Sequence, residues 1–153
     1  MALYMGKQKI MPLVQDFYFK SEAAGIELLQ SFMKNTITEI KPEYFEGMTR
    51  CIMGGQRVCY RNQYLTSVTL PDSITSCEGY SFSDCPNLVY VSLGKNISGG
   101  WGTIFNDCSK LTKVNFRGTI NEWKKTGVRI NTGDSHTKKY PVIVCTDGAY
   151  RPR

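Results

Sequence analysis

Apolar residues recur at a single interval through the middle of this chain. Residues 65–87, LTSVTLPDSITSCEGYSFSDCPN, lie over residues 88–110, LVYVSLGKNISGGWGTIFNDCSK, at an offset of 23 residues, and a third copy begins at Leu111. The matching columns are Leu65, Leu88 and Leu111; Val68, Val91 and Val114; Leu70, Leu93 and Phe116; Ile74, Ile97 and Ile120; Phe82 and Phe105; Cys85 and Cys108. A unit this small cannot bury its own apolar side, so copies must stack and share one core. The pattern predicts a repeat solenoid: a short leucine-rich stack with a parallel β ladder, turn or short helical connections, and a 23-residue period.

Within each unit L-x-x-V-x-L alternates with the two-residue period of a strand. Val68 and Leu70 are expected to point inward, and so are their partners in the next two units. The outward positions form two rows, Ser67, Tyr90, Lys113 and Thr69, Ser92, Asn115. Pro71-Asp72-Ser73 and Gly94-Lys95-Asn96 follow as turns, because proline, glycine, aspartate and asparagine suit a backbone reversal. Phe82 and Phe105 are expected to close the far side of the core.

A degenerate copy lies upstream. ITEIKPEYFEGM, residues 37–48, aligns with ITSCEGYSFSDC, residues 74–85, setting Ile37 against Ile74, Ile40 against Cys77 and Phe45 against Phe82. Leu28 and Met33 would then take strand places, and 49–64 becomes an insertion, a loop on one face. Before it, SEAAGIELLQSFMKNT predicts an amphipathic helix at about 22–34, which either caps the stack or serves oligomerisation. Residues 1–20 alternate enough to form strands that pair with another chain. The expected organisation is an N-terminal arm at 1–27, a repeat stack at 28–148 with its C-terminal cap at 117–148, and a basic tail at 149–153.

The pattern LTSVTLPDSIT...SFSDCPNL resembles the BspA-like class of leucine-rich repeats, common in bacterial surface proteins and in phages of gut bacteria. The tail is similar to the closing segment of such proteins: VNFRGTINEWKK, then VIVCTDGAY, giving a strand, a Gly118-Thr119 turn, a helix bearing Trp123 and a last strand running into Cys145-Thr146-Asp147-Gly148. The opening MALYMGKQKI resembles the start of tail and other structural proteins of phages and prophages. These resemblances imply a phage virion structural protein, a tail, fibre or decoration component that displays its repeats for protein or host-surface binding. The alternative is a bacterial adhesin or interaction module at the cell surface or outside the cell.

Lys7, Gln8 and Lys9 break any apolar core of a signal peptide, so export by that route is not expected, and no apolar run reaches the length of a membrane span. Assembly in a host cytoplasm and residence in a virion follow as the expectation. Charge changes the picture only at one end. The net charge is +6, and residues 111–153 alone hold nine Lys and Arg against three Asp and Glu. Lys124, Lys125, Arg129, Lys138 and Lys139 form a basic cap patch that either solvates the end of the stack or meets an anionic partner, such as an acidic glycan or an acidic virion protein. Nucleic acid is not expected, since no interleaved aromatics or docking helix accompany the charges.

The six cysteines include no C-x-x-C pair and His136 is the single histidine, so neither a metal nor a cofactor is expected. Cys85 and Cys108 read as stacked, reduced, buried fillers, whereas Cys51 and Cys59 can pair or not. Cys145 with Asp147 reads as a strand end before a turn, and nothing else assembles a nucleophile or an acid–base pair. No enzymatic activity is expected. Tyr90, flanked by Ser67, Ser92, Lys113 and Asn115, is the expected anchor if the strand face binds a ligand; packing along its own ladder is the other use. A homo-oligomer, other virion proteins and a host-surface protein or glycan are the expected partners.

Overall fold

The computed structural model describes residues 4–5, 8–9, 38–42, 50–51, 61–77, 82–99, 104–134 and 136–153. The alternating segments form strands, in chain order β1 (Tyr4–Met5), β2 (Gln8–Lys9), β3 (Glu39–Ile40), β4 (Arg50–Cys51), β5 (Ser67–Thr69), β6 (Ser76–Cys77), β7 (Tyr90–Leu93), β8 (Lys113–Phe116), then helix α1 (Ile120–Thr126), β9 (Val142–Cys145) and β10 (Gly148–Tyr150). A six-stranded sheet runs β10-β9-β8-β7-β5-β3, parallel except for the β9–β10 hairpin. The expected core positions meet in that sheet. Val68 pairs with Val91, Ser92 with Asn115 and Leu93 with Phe116, so the apolar residues of successive strands fall into columns.

One column decides the architecture. Ile40, Val68, Val91 and Val114 are fully buried and Ile143 nearly so. At roughly 1.5–3 kcal/mol for each aliphatic side chain taken out of water, this column is a large share of what holds the sheet together. Around it Leu65, Leu88 and Leu111, Leu70 and Leu93, and the Phe82–Phe105 pair are also fully buried. The stacking continues beyond the strands: the Ser98 amide donates to the Thr75 carbonyl at 2.8 Å and the Asp84 amide to the Asn106 carbonyl at 2.8 Å. The match of residues and register supports a repeat fold with a mostly parallel sheet.

Equivalent corners share a backbone conformation. Arg61, Asp84 and Asp107 all have φ near +57°, with values of 58, 57 and 56°. Aspartate tolerates this left-handed region better than most residues, because its short polar side chain can bond locally. At the end of β7 the chain approaches its neighbour so closely that a Cβ on Gly94 would sit 2.5 Å from the Pro71 carbonyl oxygen. Only glycine fits there.

The upstream register differs from the one expected. Ile40 pairs with Val68, and Cys51 pairs with Cys77, so Ile40 stands in the valine column and Cys51, not Ile40, is the neighbour of Cys77. Arg50 and Cys51 fall inside the stretch 49–64 that was expected to be an inserted loop, yet they form a strand against β6. Pro42 gives the physical reason for the short β3: it has no N–H to continue the ladder beyond Ile40. The expected helix at 22–34, the strand places of Leu28 and Met33, and a Cys51–Cys59 pairing lie outside the described residues or depend on one that does. In the arm, β1 and β2 pair with each other, antiparallel.

The C-terminal cap follows its expected order and adds a strand. Thr119 N-caps α1 in a reciprocal box with Glu122, and Gly127, at φ +69°, ends it. The Thr119 backbone and hydroxyl hold the Glu122 carboxyl below its usual pKa. Trp123 packs edge-on against Phe116, with ring centroids 5.3 Å apart. The basic tail expected at 149–153 begins as a strand instead: Ala149 and Tyr150 pair with Val144 and Ile143.

Candidate binding surface

The outward rows of the sheet are the first surface to consider. Tyr90 is 47 % exposed and Lys113 is exposed, whereas Ser67, Thr69 and Asn115 are half-buried. Ser92 departs from expectation. It lies on the outer side, but it is buried because the Arg117 side chain covers it.

Arg117 organises this face, and the repeat pattern alone did not single it out. Its guanidinium donates to Asp72 Oδ1 at 3.1 Å, to Ser92 Oγ at 2.9 Å and to the Leu70 carbonyl, joining three successive strands' ends. Asp72 also accepts from the Lys95 amide at 3.1 Å. Burial raises the Asp72 carboxyl, but the Lys95 amide and the Arg117 guanidinium outweigh it and hold the pKa below the ordinary value. The available signal was positional: Arg117 stands where the two earlier repeats carry Pro71 and Gly94. Asn115 is likewise engaged, its Nδ2 donating to the Val91 carbonyl at 3.3 Å. What the face offers a partner is therefore an aromatic ring and an ammonium group at the start of β7 and β8, with Val89, 55 % exposed, beside Tyr90.

The expected basic patch divides. Lys124, Arg129 and Lys138 line a cleft of about 460 Å³ in the C-terminal cap, together with Arg153; Lys125 and Lys139 do not. The Lys139 ammonium instead donates to the Ser109 carbonyl at 3.2 Å. The cleft has an apolar floor, since Trp123, Ile130 and Ile143 are buried there, and Tyr140 and Tyr150 stand in its walls. Aromatic residues are thus interleaved with the cations in space, although they are dispersed along the sequence. Lys124 Nζ lies 5.4 Å from the centre of the Tyr150 ring, within cation–π range.

Cys108 and Cys145 are poor nucleophiles. Cys108 is pushed up in pKa by its contact with the Cys85 sulfur and by burial, and Cys145 by burial and the nearby Asp147 charge. A nucleophilic cysteine needs the opposite shift. Among the described residues, no three His, Cys, Asp or Glu side chains are grouped to hold a metal ion, and no helix is long and apolar enough to cross a membrane.

Comparison with known proteins bears on the repeats. Residues 55–127 match the family model described as BspA type leucine rich repeat region, in six copies. The match supports a leucine-rich repeat domain of the BspA-like class across these residues, a class that is generally non-enzymatic and suggests a protein-binding or adhesin-like role. No curated protein and no solved structure matches the chain.

Proposed function

We propose that this chain is a non-enzymatic binding module: a short solenoid with a 23-residue period whose strand face contacts a protein or host-surface partner through Tyr90. The observation that carries this reading is the contrast along one face. Ser92 is tied down by Arg117 and Asn115 by the Val91 carbonyl, while Tyr90 remains open beside Val89 and Lys113. An exposed aromatic on a rigid sheet offers contact area at small entropic cost, as interface anchors do. Stacked repeats give extended surfaces of this kind.

The finer reading is a phage virion structural protein, with the arm at 1–27 attaching the module to the particle or to further copies of itself. It rests on the resemblance of MALYMGKQKI to the start of phage structural proteins. The match to BspA-type repeats favours a second reading, a bacterial adhesin or interaction module. Mass spectrometry of purified particles separates the two, because a virion component must be present in them at stoichiometric amounts and an adhesin must not. For the strand face, sedimentation of labelled chain with host cells is the assay. Tyr90→Ala is expected to lower the bound fraction several-fold with unchanged thermal unfolding, and equal binding by both forms refutes the assignment.

A further inference from the structure

We propose that the cleft in the C-terminal cap is a second binding site, which takes an acidic peptide segment of a partner protein and seats one bulky apolar side chain of that segment on its floor.

Size and lining carry the argument. About 460 Å³ lies within the range of clefts that enclose a ligand group, and the floor of Trp123, Ile130 and Ile143 is apolar. Four cationic side chains, Lys124, Arg129, Lys138 and Arg153, surround that floor, and the described lining residues include no Asp or Glu. The acidic side chains of the cap are engaged elsewhere. Glu122 closes the N-cap of α1, Asp147 accepts from the Ile120 amide at 2.8 Å, and Asp134 accepts from the His136 amide at 2.8 Å. None of these carboxylates is a described lining residue, so the rim presents its cations to a ligand without an acidic side chain between them.

The same lining favours peptide over glycan. A sugar's hydroxyls need acceptors as well as donors; the four cations only donate, and Asn131 is the one side-chain amide among the described lining residues. Its oxygen already accepts from the Gly133 and Lys139 amides, at 3.1 and 2.8 Å. An apolar floor inside a cationic ring instead complements a Phe, Trp or Leu flanked by Asp or Glu, the arrangement of an anchor with charged neighbours. None of the strand-face residues lines the cleft, so this site does not depend on Tyr90.

Fluorescence anisotropy of the full chain with a labelled heptapeptide, phenylalanine between two Asp-Glu-Asp triplets, tests the proposal. Saturable binding at low salt is expected, weakened about 10-fold by Arg129→Ala with Lys138→Ala and about 10-fold by alanine at the central position of the peptide. Tyr140→Ala, at an exposed wall position, is expected to weaken it several-fold, and Tyr90→Ala to leave it unchanged. Matching thermal unfolding of the variants shows that the cap is intact. Absence of saturation at millimolar peptide overturns the proposal, as does equal binding of the alanine-centred peptide, which would reduce the site to unspecific charge. Binding of an anionic polysaccharide without binding of the peptide overturns it as well.

Discussion

Phe82 and Phe105 provide the sharpest test of stacking. Both rings are fully buried, and their planes lie 15° from parallel with centroids 5.5 Å apart. Nearly parallel rings at that separation are offset, the geometry in which an aromatic pair contributes about 0.5–1.5 kcal/mol beyond the area it buries. Replacing either ring by leucine keeps most of the apolar volume and removes the ring contact. Each single substitution, Phe82→Leu or Phe105→Leu, is expected to cost about 1–2 kcal/mol, and the double variant to cost less than their sum by about 0.5–1.5 kcal/mol. With a urea slope of about 1–3 kcal/mol per molar, 1 kcal/mol moves the midpoint by roughly 0.3–1 M, which equilibrium unfolding followed by circular dichroism resolves. Residues of successive repeats that touch must show this coupling. Additivity to within about 0.3–0.5 kcal/mol would mean that the rings do not meet, and the shared core would fail with them.

Two further outcomes follow from the same structure. Arg117→Ala removes three donors from Asp72, Ser92 and Leu70 and is expected to cost about 1–2 kcal/mol, mostly by leaving the buried Ser92 hydroxyl without that partner, since the exposed ion pair itself contributes little. Because the folded Asp72 pKa lies below its ordinary value, its contribution is present above the unfolded pKa and is lost as pH falls through the folded one; the cost of Arg117→Ala measured by urea unfolding should therefore shrink toward strongly acidic pH, and a cost that grows there contradicts the assignment. Native-state alkylation with iodoacetamide at pH 8, read by peptide mass spectrometry, should leave Cys85 and Cys108 unmodified until denaturant is added, whereas labelling at the rate of a free thiol would show that the column is open.

The central repeats were legible because each core column is a type of residue at a constant interval. Val68, Val91 and Val114 required only the interval to be placed side by side, and Leu70 with Leu93 and Cys85 with Cys108 followed. The upstream register was not legible by the same means. There β3 has only two residues, and ITEIKPEYFEGM offers isoleucines at both 37 and 40 as candidates for one column. Matching Ile37 to Ile74 kept more identities, but the sheet takes Ile40 beside Val68 and brings Cys51 to Cys77. In a ladder so short the backbone pairing outranks the longest run of similar letters.

The cap shows the opposite relation between sequence and surface. Its parts were readable in order, yet the cleft draws on α1, the segment at 127–131, the approach to β9 and the strand β10, which no interval relates. Charge alone grouped Lys124, Lys125, Arg129, Lys138 and Lys139, but Lys125 and Lys139 fall outside the cleft while Arg153, assigned to a tail, falls inside it. The cause is β10. By pairing antiparallel with β9 it turns the last residues back over α1, sets the Tyr150 ring under Lys124 and converts a run of solvated cations into the rim of a concave site. The end of a repeat stack must cover its last apolar layer, and here the cover is shaped by a hairpin and a helix, not by another copy of the repeat. That difference is why a stack of parallel strands also holds a recess at its end.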